Sequence, residues 1–363
     1  MKHALRLKFV FAACALLSAF VACQSPSAQT TPSWRTDPNT CRVSDVTVHD
    51  DLTQNVASNK SEEFVMPGIH IPDGVRGVYG TSFVRPEDQD KPCSERPQTD
   101  EIRIESGTPL ILLLGLLNHS PEPETFLVTI VLDYRQVEFE LDGKPGLLHQ
   151  VTVPPWTDLE IPFHLDVGKL GAHDLFLIAF RDPYNCTVDE DFRMNLGGHI
   201  NGSRAVIIVG SSERPTRTLE PDVVGAPPPP DVTTGFGVLF ADVTTMRDSH
   251  PFHRQLYVAE AIAGEAYPLQ AWVSNCEGHA PLDYGIVAFL NFHQVGISGQ
   301  EVLIVHAEAG EEAILDIELD VPEEPGLHQY QWIWVTDPYR SILHREVASP
   351  FVHASPRIAI VAR

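Results

Sequence analysis

The chain has 363 residues, and its 49 Asp and Glu outweigh 25 Lys and Arg to give a formal net charge of −24. A surface this acidic repels phosphate backbones and anionic lipid headgroups, which argues against nucleic acid as a partner. The sequence contains no GxSxG, HExxH, P-loop or GxGxxG pattern, so no local catalytic or nucleotide-binding signature stands out.

The N-terminus reads as a processing signal over residues 1–22. Lys2, Arg6 and Lys8 form a basic start, and Phe9 to Ala22 is an apolar run too short to cross a bilayer as a helix. It ends in Phe20-Val21-Ala22-Cys23, which resembles the bacterial lipobox. That resemblance implies lipidation at Cys23, an envelope location outside the cytoplasm, and membrane contact through the anchor only. An ordinary secretory signal cut near Ala28 is the alternative. Residues 23–68 are polar and weakly patterned, and read as a mostly irregular tether with at most one strand.

From residue 69 the pattern is β. Strands are predicted near 75–85, 101–117, 125–139, 147–153, 158–167, 173–181 and 204–209. Leu159, Ile161, Phe163, Leu165 and Val167 alternate with Asp158, Glu160, Pro162, His164 and Asp166, as a half-buried strand does. Pro162 predicts that this strand lies at a sheet edge. Residues 211–234, with Pro227 to Pro230, read as a polyproline-like linker. A second set follows near 236–243, 254–274, 284–295, 301–307, 312–321, 328–336 and 356–362.

The two sets repeat each other. Leu165-Asp166-Val167 precedes Gly171-Ala172-His173 and Asp182-Pro183-Tyr184, as Leu319-Asp320-Val321 precedes Gly326-Leu327-His328 and Asp337-Pro338-Tyr339. Asp133 to Val137 matches Asn291 to Val295, and Arg204 with its apolar run matches Arg357 with its own. A period this long means duplicated domains, not a solenoid. The expectation is an all-β protein of two tandem immunoglobulin-like β-sandwiches, 69–210 and 235–363, that fold separately.

Leu112 to Asn118 and Gly171-Ala-His173 to Asp182-Pro183-Tyr184-Asn185, followed by Asp189-Glu190-Asp191 and Asn195, resemble CARDB and APHP-type bacterial immunoglobulin-like domains. The second copy lacks the acidic and Asn ending. The resemblance implies adhesive or spacer modules without catalytic residues. The implied role is non-catalytic binding, adhesion or spacing, with an unknown protein or glycan at the cell surface as partner and no cofactor.

Other readings stay open. His250 and His253 form the closest histidine pair, and Asp189 and Asp191 with Asp182 could offer oxygens to calcium, so these are weak metal candidates. A loop or turn role is the plainer reading of each. His173 and His328 recur after Gly and read as one structural slot. Tyr330, Trp332 and Trp334 could form a sugar-binding platform or pack in a core. A carboxylate-pair glycosidase needs no local spacing, but two sandwiches leave little chain for a catalytic domain. Export implies oxidised cysteines. Strand directions favour Cys41–Cys186 and Cys93–Cys276, against Cys41–Cys93 with Cys186 and Cys276 free.

Overall fold

The computed structural model describes residues 43–52, 78–91, 95–96, 99–194, 199–210, 219–230, 236–243, 249–340 and 352–363. Residues Thr36–Arg363 form one compact unit. The first half supplies β1 (Val46–His49), β2 (Val78–Val84), β3 (Glu101–Ile104), β4 (Leu110–His119), β5 (Glu124–Leu132), β6 (Arg135–Val137), β7 (Phe139–Leu141), β8 (Lys144–Gly146), β9 (Leu148–Val153), β10 (Thr157–Leu165), β11 (Gly171–Arg181) and β12 (Ile200–Val209). A single-turn helix, α1 (Glu190–Arg193), lies between the last two.

These strands make two facing sheets, β1-β9-β5-β11-β12-β3 with β6 beside β5, and β2-β4-β10-β7-β8. β3 joins β12 in parallel while β11 pairs antiparallel on its other side. The two-sheet sandwich is immunoglobulin-like. Leu112, Leu114, Ile130, Ile161, Phe163 and Leu177 fill the space between the sheets.

The second half repeats the plan with β13 (Val223–Val224), β14 (Phe236–Asp242), β15 (Val258–Ala261), β16 (Ala266–Asn275), β17 (Leu282–Leu290), β18 (His293–Val295), β19 (Leu303–Ala307), β20 (Glu312–Asp320), β21 (Gly326–Thr336), β22 (His353–Ala354) and β23 (Ile358–Ala362). Its sheets are β13-β19-β17-β21-β23-β15, with β18 beside β17 and β22 beside β21, and β14-β16-β20. Tyr330, Trp332 and Trp334 lie in this core at 2%, 0% and 3% exposure.

Three sequence expectations meet the structure. First, the 23–68 segment holds one described strand, β1, as an expectation of at most one strand allows, while the 211–234 segment expected to be a linker supplies β13. β1 pairs in parallel with β9, and β13 pairs in parallel with β19. Strands of two to four residues are too short to show an alternation. Second, β10 is not an edge strand. The β7–β8 hairpin lies beside it, pairing at Phe163 and His164, and it meets Pro162 through the carbonyl alone, which accepts from Asp142 N.

Third, the sandwiches are not separate modules on a spacer. Leu127, Val131, Phe176, Ile178 and Phe180 of the first form one buried cluster with Val287, Phe289, Ile333 and Val335 of the second. These residues sit one place out of phase with each sandwich's own core. Sheets apolar on both faces are covered on both faces. The continuous apolar runs at 126–132 and 285–292 carry that signal.

The contacts are reciprocal, as in an isologous interface. Gln136 N donates to Gln294 Oε1 at 2.5 Å, and Gln294 N donates to Gln136 Oε1 at 2.8 Å. Gln136 Nε2 reaches Phe292 O, and Gln294 Nε2 reaches Tyr134 O. Tyr134 and Phe292 occupy matching positions in two-residue hairpin turns with positive φ at both central residues. The turns aim these rings across the interface. Tyr134 packs on Tyr339, and Phe292 packs on Phe180. Gly285 admits Tyr134, because a Cβ there would stand 2.5 Å from its ring.

The two ends of the interface carry matching arginines. Arg204 and Asp174 are both fully buried and joined at 2.9 Å. Arg204 also donates to Thr336 O and Asp337 O, while Asp174 accepts from Tyr134 Oη and Tyr339 N. At the other end, Arg357 donates to Asp182 O and His199 O. Gln329 stands where Asp174 stands in the first sandwich, and it accepts from Arg193 Nη1 at 3.2 Å.

Candidate functional site

The Asp-Pro turns and the recurring histidines are structural. Asp182 and Asp337 sit at φ 45° and 49°, and each carbonyl accepts from the backbone N–H three residues on. His173 bridges Asp133 and Lys169 O, and His328 bridges Asn291 and Glu324 O. Both rings therefore tie the turn before their strand to a neighbouring hairpin.

Two of the metal candidates, His250 and Asp189, are held by hydrogen bonds to their own neighbours. His250 Nδ1 accepts from Phe252 N, so Nε2 carries the proton and donates to Glu312 Oε1 at 2.8 Å. The other Glu312 oxygen accepts from Trp272 Nε1 at 2.7 Å. His253 lies with its ring 6.4 Å from that of His250. Asp189 caps α1 by accepting from Phe192 N, and Asp191 is exposed. Among the described residues, no group of three or more His, Cys, Asp or Glu is placed to hold a metal ion.

Cys276 is free, which overturns the Cys93–Cys276 pairing; its Sγ faces Glu311 O on its own sandwich. Sandwiches that meet along their sheet faces do not stack end to end, which removes the premise of that bridge. Cys186 is disulfide-bonded. Cys23, Cys41 and Cys93 lie outside the described residues.

The surface feature with the clearest chemical character is one that sequence reading passed over. Trp156 is 62% exposed, at the tip of the β9–β10 turn, and has φ 52°. A bulky L-residue in this left-handed region costs roughly 1–2 kcal/mol. The equivalent turn of the second sandwich shows the usual solution. Asn118 Nδ2 donates to Glu122 O, Val153 O and Pro154 O, and Asn275 Nδ2 donates to Ala280 O, Ala307 O and Glu308 O. That identical staple aligns Trp156 with Gly310, at φ 87°. One sandwich thus holds a tryptophan out into solvent at a position whose backbone favours glycine.

Trp156 has polar company. His119 lies against it, with ring centroids 6.5 Å apart and 33° between planes. His119 Nε2 meets Asp158 Oδ1 at 2.9 Å. Burial raises the Asp158 pKa, and His119 pulls it back. An apolar ring face beside an imidazole and a carboxylate offers a stacking surface with hydrogen-bonding groups along one edge. The sequence signal was Pro154-Pro155-Trp156 aligned with a glycine turn.

No family model matches the chain, and no curated protein matches it. Among solved structures the chain is similar to the CARDB domain of a Pyrococcus furiosus protein in complex with di-metal ions, at 12% identity and TM-score 0.21 over 30% of this chain and 81% of that one. It is similar to CBD12 from CALX1.2, at 6% identity and TM-score 0.20 over 68% and 82%. It is also similar to a Salmonella alpha-2-macroglobulin reacted with methylamine, at 11% identity and TM-score 0.23 over 78% of this chain and 18% of that one. At these scores the three carry no argument about what this chain binds.

Proposed function

We propose that the chain is an exported, lipid-anchored, non-catalytic surface protein that acts as a binding and adhesion module, with Trp156 at the centre of its contact surface. The supporting observation is the left-handed, solvent-facing Trp156 where the duplicate has Gly310. Backbone strain held at an exposed aromatic is characteristic of a contact site. The lipid anchor rests on Phe20-Val21-Ala22-Cys23. Replacing Cys23→Ser should release the protein from the membrane fraction, and unchanged membrane association would reject the anchor.

Trp156→Gly is the test of the contact surface, because glycine suits the backbone there. Stability should hold or rise, by about 1 kcal/mol at most. Binding of the full chain to whole cells or to a glycan array should be lost. Intact binding by Trp156→Gly would reject the reading. Carbohydrate is the second reading of the ligand, favoured by the His119–Asp158 pair at the ring's edge. Glycan-array signal without cell-protein binding would select it.

A further inference from the structure

The same sheet edge is finished differently in the two sandwiches. In the first, β10 has β4 on one side and the β7–β8 hairpin on the other. Asp142 N donates to Pro162 O at 2.8 Å, and the hairpin's Phe139 and Leu141 are 4% and 0% exposed. In the second, β20 is the counterpart of β10. Among the described residues its outer edge has no strand beside it. Ala226 pairs with Glu312 at its very start, and no other described residue extends that pairing. The connection that forms the hairpin at 138–148 is shortened at 296–302 to one bridge, Ile297 to Gln300.

The open edge has a defined chemistry. Ala313, Leu315, Ile317 and Leu319 point inward, while Ile314, Asp316, Glu318 and Asp320 are exposed. Within an antiparallel strand, the N–H and C=O of one residue point to the same neighbour. The Pro162 carbonyl points at the hairpin, so Asp316, its counterpart, offers both N–H and C=O to the open side. Gln270 Nε2 donates to Asp316 Oδ1 at 2.6 Å and steadies that side chain over the sheet. Unpaired edges are templates for another strand, and charged residues decide which strand is admitted. An acidic row repels a second copy of itself and complements Lys and Arg.

We propose that the open edge of β20 is a docking site for an extended, basic segment of a partner protein, which adds as an antiparallel strand where β7 lies in the first sandwich. The site lies on the second sandwich and does not depend on the Trp156 reading.

The test uses the full chain and a fluorescein-labelled peptide, Lys-Val-Lys-Val-Lys-Val-Lys. Saturable anisotropy and slowed amide exchange across 314–320 are expected; no saturable binding, or protection elsewhere, overturns the proposal. Asp316→Pro removes the edge N–H as Pro162 does, and should weaken binding about ten-fold or more, whereas Asp316→Asn keeps it and should weaken binding only a few-fold. Equal binding by Asp316→Pro and the unaltered chain overturns the proposal. Should Asp316→Pro fail to fold, Glu318→Lys with Asp320→Lys decides instead. It should lose the basic peptide and accept the Glu-Val counterpart, and unchanged preference overturns the proposal. Trp156→Gly should bind the basic peptide normally; loss there assigns the peptide to the Trp156 surface and also overturns it.

Discussion

The two ends of the interface between the sandwiches hold equivalent arginines in unequal surroundings. Arg204 has Asp174, which accepts from it at 2.9 Å and 3.1 Å. Burial works against the Arg204 charge, and the Asp174 carboxylate more than offsets it, so its pKa is raised. Arg357 donates to the carbonyls of Asp182 and His199, and Gln329 stands where the carboxylate would be. Burial and the nearby Arg193 lower the Arg357 pKa to about 9, and burial lowers that of Arg193 to about 10. Arg193 Nη2 and Arg357 Nε are buried without a hydrogen-bond partner. Duplication preserved the packing at both ends but left the charge balanced at only one. The unbalanced end is where the interface should yield first.

Acid should open that difference furthest. His199 lies at the Arg357 end, buried, with its pKa pushed down to about 3 by burial and then by Arg357. His149, paired with His49 beneath β1, is lowered to about 4, chiefly by burial. Both stay neutral in the folded chain and bind protons near pH 6.5 when unfolded. Stability is therefore full above pH 6.5 and falls as pH drops toward 4. The loss is about 3 kcal/mol per histidine at pH 4 on this linkage. Urea unfolding at pH 7 and pH 4 measures it, and His199→Gln should flatten the slope. A stability unchanged between the two pH values would contradict the placement of both histidines.

Breaking the balanced end should cost nearly as much. Asp174→Asn leaves Arg204 buried without its counter-charge, at a cost of about 3–5 kcal/mol in denaturant unfolding. A loss under 1 kcal/mol would mean that the carbonyls of Thr336 and Asp337 suffice. The converse change is smaller. Gln329→Glu gives Arg193 and Arg357 the missing carboxylate and gives up the donor to Pro183 O. A gain of about 1 kcal/mol is expected. Destabilisation by that variant would show that the arginines need no anion.

Much of this architecture was legible before the structure. The Gly-x-His and Asp-Pro-Tyr marks identify equivalent strands, β11 and β21, and alternation over 159–167 and 315–321 marks one buried face. What alternation could not reveal is that β5, β11, β17 and β21 are buried on both faces. The continuous apolar runs at 126–132 and 285–292 mark central strands but do not show what covers their outer side. The arginines at 204 and 357 were visible as marks of the repeat, but a buried ion pair depends on residues far apart in sequence. Trp156 escaped because it lies between two strands, where only alignment with Gly310 gives it meaning. The missing hairpin beside β20 shows in sequence as the shorter 296–302 connection.

Residues 36–363 should unfold as one cooperative body built on that shared interface. Differential scanning calorimetry of the full chain at pH 7 tests it most directly. A single transition whose calorimetric and van't Hoff enthalpies agree is expected, with a shift of that whole transition in Asp174→Asn. Two resolved transitions, with Asp174→Asn moving only one of them, would contradict it.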